Sequence, residues 1–186
     1  MLRLPTSRIR TGPRAGRHPK EHWIVEAGIA LRLRAEIKPS RIPGAGLGVF
    51  ALDVAPRGEF LGMEFLRPDA VLQPEQITEM PPEIRRYAWR HVENLCFPGS
   101  PPGRLGPTEL MNHSFEPNVL CHVDHYFALR DIRVGDELTF DYRTFWGPEW
   151  PAFTDAASGR QVRGMEWRAA LLHTTRQLIE LLETAD

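Results

Sequence analysis

The chain has 186 residues, 42% of them hydrophobic, and a formal net charge of −1, enough for one domain with its own core. No apolar run reaches membrane-spanning length or resembles a signal-peptide core, and two cysteines, Cys96 and Cys121, exclude a disulfide framework, so a cytoplasmic chain is expected. Residues 1–40 carry nine Lys or Arg against three Glu, whereas the remainder carries 14 basic against 21 acidic residues. Such an acidic body either steers a basic protein partner or is a solvated surface without one.

In chain order, residues 1–22 mix Arg3, Arg8, Arg10, Arg14 and Arg17 with Pro and Gly and show no apolar period. They read as a basic, disordered tail, the one part suited to touching nucleic acid. The domain begins at Trp23. Ile29, Leu31 and Leu33 alternate with Ala30, Arg32 and Arg34, which predicts a strand feeding a glycine-rich block, Ser40-Arg41-Ile42-Pro43-Gly44-Ala45-Gly46-Leu47-Gly48-Val49-Phe50-Ala51. Glycines there allow close backbone approach, either to a ligand or within a plain hairpin. Asp53 to Phe60 reads as a turn and a second strand, followed by Gly62-Met63-Glu64-Phe65.

Residues 66–108 look like an insert. Pro81-Pro82-Glu83-Ile84 is a good helix start, and Ile84, Tyr87 or Ala88, His91 and Leu95 recur at helical spacing. Glu109-Leu110-Met111-Asn112-His113-Ser114-Phe115-Glu116-Pro117-Asn118 is dense in side chains that bond backbone, as in a turn or a ligand-contacting loop. Gly135-Asp136-Glu137-Leu138-Thr139-Phe140-Asp141-Tyr142 is a turn followed by a half-buried strand that delivers Tyr142 at its end. An aromatic loop, Phe145 to Phe153, comes next. Residues 164–183 then predict a helix with Trp167, Leu171, Thr174, Leu178, Ile179 and Leu182 on one packed stripe.

The glycine block, the Asn-His-Ser-x-x-Pro-Asn run and the strand ending in Tyr142, in this order, resemble the SET-domain family of protein lysine methyltransferases over residues 35–145. The composition points to a small bacterial member. The resemblance implies a mainly β (α+β) fold of small curved sheets, with a knot-like C-terminal segment, an insert helix and a C-terminal helix. It divides the chain into the tail (1–22), the SET domain (23–145, insert 66–108) and a carboxy-terminal segment (146–186) packed on the core.

It also implies S-adenosylmethionine as cofactor and a lysine-bearing protein as substrate, a basic one by charge. Tyr142 matches the catalytic tyrosine. Gly46, Leu47, Gly48, Asn112, His113 and Tyr142 match cofactor-binding positions, and Phe65, Cys121, Phe140 and Trp146 match a substrate channel. Phe115 stands where many members place a zinc-binding cysteine, and no cysteines follow Tyr142, so no metal is expected. His113, Cys121, His122 and His125 fit no usual zinc spacing. Phe65 replaces a channel tyrosine, which keeps open a second reading, a non-catalytic SET-like interaction module.

Overall fold

The computed structural model of the chain describes residues 29–64, 79, 89–92, 95–97, 107–148 and 150–184. The basic tail, Phe65 and most of the insert lie outside the described residues.

Two four-stranded sheets form the body. The first has the order β1 (Ile29–Leu31), β4 (Phe60–Glu64), β9 (His125–Ala128), β8 (Val119–His122), all antiparallel. The second runs β2 (Ala35–Pro39), β3 (Leu47–Ala51), β10 (Glu137–Phe140), β7 (Asn112–His113). Its last pair is parallel. A four-residue helix, α1 (Pro107–Leu110), leads into β7.

Val49, Phe50 and Ala51 are fully buried in β3, which is flanked on both edges. Burial of Val49 and Phe50 stabilises the fold by roughly 1.5–3 kcal/mol each. The core joins Val49 and Ala51 to Leu61, Met111, Val119, Cys121, Tyr126, Ile132, Leu138 and Phe140, while Phe50 is covered by Lys38 and Arg41. Val123 and Asp124 make the two-residue turn between β8 and β9, both with positive φ, as tight hairpins require.

The mainly β reading holds, with three local corrections. The strand expected through Leu33 breaks after Leu31: the Arg32 amide bonds Leu61 O at 2.8 Å, Leu33 turns into the core, and β2 starts a second sheet. The insert helix is contradicted over its second half. His91 lies in a strand, β5 (Trp89–Val92), and Leu95 in another, β6 (Leu95–Phe97), paired antiparallel. Aromatic and β-branched residues such as Trp89, Val92 and Phe97 suit that pairing, which outweighs the helical spacing.

The third correction concerns the long carboxy-terminal helix, α2 (Trp167–Thr184), which buries Ala170, Thr174 and Leu181 and leaves Ile179 and Leu182 more than half exposed. Its packed face is rotated from the predicted stripe. Small Ala170 lets the helix lie close to β8, and the Thr174 hydroxyl meets His122 Nδ1 at 2.9 Å.

Candidate active site

Parallel pairing of β7 with β10 sets Asn112 beside Thr139 and His113 beside Phe140, joining the two segments of the expected knot-like site. Buried Asn118 fastens the loop after β7. Its amide donates to Glu137 O at 2.9 Å, and its Oδ1 accepts from the Thr139 amide at 2.8 Å. Beyond β10 the chain turns into a short 3-10 helix, Tyr142–Thr144, capped by Asp141, whose carboxylate accepts from the Arg143 amide at 3.0 Å. That turn points Tyr142 back over the core.

The Tyr142 hydroxyl donates to Met111 O at 2.7 Å, and the Tyr142 amide donates to His113 Nδ1 at 3.2 Å. His113 Nδ1 is therefore the acceptor nitrogen, and the ring proton of the neutral form sits on Nε2, which is buried without a hydrogen-bond partner. Burial pushes the Tyr142 phenol well above its ordinary range. It also lowers the His113 pKa, while Asp141, 3.8 Å from Nδ1, works in the opposite direction.

Between β2 and β3, the glycine turn closes back on itself through the Ser40 amide and Gly46 O at 2.8 Å. Gly46 has φ +78° and open space where a side chain would start. Gly48 differs. A Cβ there would lie 3.0 Å from Glu137 Cδ and 3.2 Å from Asn112 Nδ2, so its missing side chain makes room for protein rather than ligand. Asn112 Nδ2 donates to Leu47 O at 2.9 Å and to Glu137 Oε1 at 3.0 Å.

Aromatic rings surround Tyr142. Trp146 lies 4.8 Å from it, Phe140 4.9 Å, His113 5.5 Å and Phe153 6.3 Å, centroid to centroid. Phe153 comes from a short hairpin, β11 (Phe153–Thr154) with β12 (Gln161–Val162), where the sequence predicted only a loop. The Asp155–Gly159 turn makes it. Asp155 Oδ2 accepts from the Ser158 amide at 2.9 Å, and Gly159 takes φ +69°.

A SET domain profile matches residues 46–143, more than half of the chain. The chain is a SET-domain protein. The solved structure of the Neurospora SET domain protein DIM-5, a histone lysine methyltransferase, is similar over 60% of this chain and 53% of that one, with 23% identity and a TM-score of 0.47. The chain thus spans about half the length of that protein. No curated protein matches it in sequence.

Within this SET domain, the structure brings Asn112, His113, Phe140, Tyr142 and Trp146 together, with Leu47 joined to them through its carbonyl. Cys121 is set back in the core, and Tyr142 packs against that same core cluster. Cys121 lines two cavities. One, of about 160 Å³, lies between Phe115, Leu120, Arg143 and Gln177. The other, of about 40 Å³, lies between Asp124, Phe145 and Trp167. Neither reaches Tyr142.

Among the described residues no three His, Cys, Asp or Glu converge as metal ligands would. His122 is engaged with Thr174, and His125 Nδ1 donates to Val123 O at 2.7 Å. Phe115 is packed by His113 at 4.6 Å, Arg143 at 4.8 Å and Arg160 at 3.7 Å. The Met165 amide bonds Arg143 O at 2.8 Å, and Gly164 lies against the backbone of Trp146 and Gly147 too closely to admit a Cβ. Stacking and backbone contacts hold the carboxy-terminal segment on the domain.

The sequence missed the Met111 carbonyl, the Glu137 carboxylate and the Arg160–Phe115 contact. Only Asp155 and Gly159, as turn residues, signalled the hairpin that carries Phe153 and Arg160.

Proposed function

We propose that this protein transfers a methyl group from S-adenosylmethionine to the side-chain amine of a lysine in a protein substrate. The carrying observation is the hydrogen bond from the Tyr142 hydroxyl to Met111 O at 2.7 Å inside an aromatic enclosure. The residues present fit the cofactor. Gly46 leaves steric room, and Asn112 Oδ1 has no donor among the described residues. When bound, the cofactor supplies a methyl carbon made electrophilic by its sulfonium.

The protein's own groups do the rest. With its proton committed to Met111 O, the Tyr142 oxygen offers only lone pairs to a ligand, which favours a polarised, positively charged methyl donor. The raised phenol stays neutral, so Tyr142 orients and stabilises rather than abstracting a proton. Phe140, Trp146 and Phe153 wall the site and exclude water, which disfavours an ammonium and favours the neutral amine that attack requires. The acidic balance of the chain beyond residue 40 supports a basic protein as substrate.

Transfer of a labelled methyl group to a cell lysate, a histone mixture and a ribosomal fraction tests this, with Tyr142→Phe run in parallel. Among these 186 residues, self-labelling on lysine is confined to Lys20 and Lys38. A labelled band that the variant loses supports the enzyme. No transfer and no cofactor binding would sink it and favour the non-catalytic interaction module.

A further inference from the structure

The Glu137 carboxylate joins three segments that are distant in sequence. Ser40 Oγ donates to Oε1 at 2.6 Å, the Arg41 amide to Oε2 at 2.8 Å, and Asn112 Nδ2 to Oε1 at 3.0 Å. Gly48 is glycine because a Cβ would collide with this carboxylate. The nearby cations are engaged elsewhere: Lys38 pairs with Glu36 and lies over the Phe50 ring, and Arg41 lies over the same ring.

These contacts fix the Asn112 amide in one orientation. Nδ2 faces two acceptors, Leu47 O and Glu137 Oε1, and a flipped amide would set its oxygen against both. With both amide hydrogens used, only Oδ1 remains for a ligand. A carboxylate accepting from the N–H side also draws the amide dipole toward a more negative Oδ1. Such an oxygen suits an ammonium and repels a carboxylate.

The geometry points to Glu137 as a positioning residue for the cofactor's amino-acid end: through Asn112 it aims a polarised acceptor at the α-ammonium and holds the Ser40–Leu47 turn in place beside it. This rests on the methyltransferase reading above. It predicts that the site tells S-adenosylhomocysteine, which carries the amino-acid end, from 5′-methylthioadenosine, which lacks it, and that Glu137 enforces the difference.

The test is calorimetric titration of both nucleosides into the full-length wild type, Glu137→Gln and Ser40→Ala, with thermal midpoints measured alongside. Glu137→Gln should weaken S-adenosylhomocysteine about tenfold or more, the loss of one charge-assisted hydrogen bond, and leave 5′-methylthioadenosine within about twofold. Ser40→Ala, which keeps Glu137 but removes one of its donors, should shift the same ratio by about threefold and decides the matter if Glu137→Gln does not fold. An unchanged ratio in a folded variant, or equal loss of both nucleosides, would overturn the inference while leaving cofactor binding intact. A wild type that binds neither nucleoside would overturn the methyltransferase reading and this inference together.

Discussion

The Tyr142 hydroxyl and the Met111 carbonyl oxygen are 2.7 Å apart, and Met111 is almost wholly buried. Tyr142→Phe keeps the ring but leaves a buried carbonyl without its donor, at a cost of about 1–3 kcal/mol in stability. On the proposed function it also removes the oxygen that would face the methyl donor. Methyl transfer should fall by about two orders of magnitude or more, as when an electrostatic stabiliser is deleted. Cofactor affinity measured by calorimetry should change far less.

Glu64 gives a pH dependence of its own. Burial, with help from Glu109 and Asp124, raises its carboxyl pKa to about 8, although the buried Tyr126 hydroxyl donates to it at 3.1 Å. The folded protein therefore holds a proton that the unfolded chain releases above about pH 4.5. Stability from this group is complete below that pH and declines as pH rises toward 8, by an amount on the order of 4–5 kcal/mol. Glu64→Gln should flatten that decline in thermal unfolding scans run from pH 5 to 8.

His113 runs the other way. Its pKa is held below 6.5 mainly by burial, so the unfolded chain takes up a proton first as pH falls. Stability from His113 is present above pH 6.5 and is lost on acidification. Protonation would turn Nδ1 from an acceptor into a donor facing the Tyr142 amide. Proton NMR should show the His113 ring titrating below the ordinary histidine range, and cofactor affinity should weaken over the same pH interval.

Phe115 and Arg160 hold the carboxy-terminal hairpin. Arg160→Ala removes an exposed cation–π contact and should cost about 0.5–1 kcal/mol. Phe115→Ala also removes the ring contacts with His113 and Arg143, so its effect on the hairpin should be larger. Hydrogen exchange should quicken at Phe153 to Val162 in both variants, more in the second, and stay unchanged in β3.

Asn112, His113, Phe140 and Tyr142 were legible because each lies in a short run whose local chemistry announces it. The purpose of Glu137 was not, since its partners Ser40 and Arg41 lie 97 and 96 residues away and ordinary residues occupy all three positions. The face that α2 buries was misread for a related reason: its apolar residues exceed what one face needs, and small Ala170 and a hydrogen-bonding Thr174, rather than the largest side chains, decide which side packs. The second half of the insert helix failed because strand pairing is non-local and the helical spacing of His91 and Leu95 is not. Strands of two residues, such as β11 and β12, leave no alternation to read.

The parallel pairing of β7 with β10, and the carboxylate that ties both to residues 40–41, draw one site from three widely separated parts of the chain. Loop closure on that scale comes late and slowly in folding. A fragment that lacks any one of these three parts lacks part of the site. Occupancy should therefore raise the unfolding temperature of the whole domain as one cooperative unit, and a thermal shift with S-adenosylhomocysteine would report completed folding as well as binding.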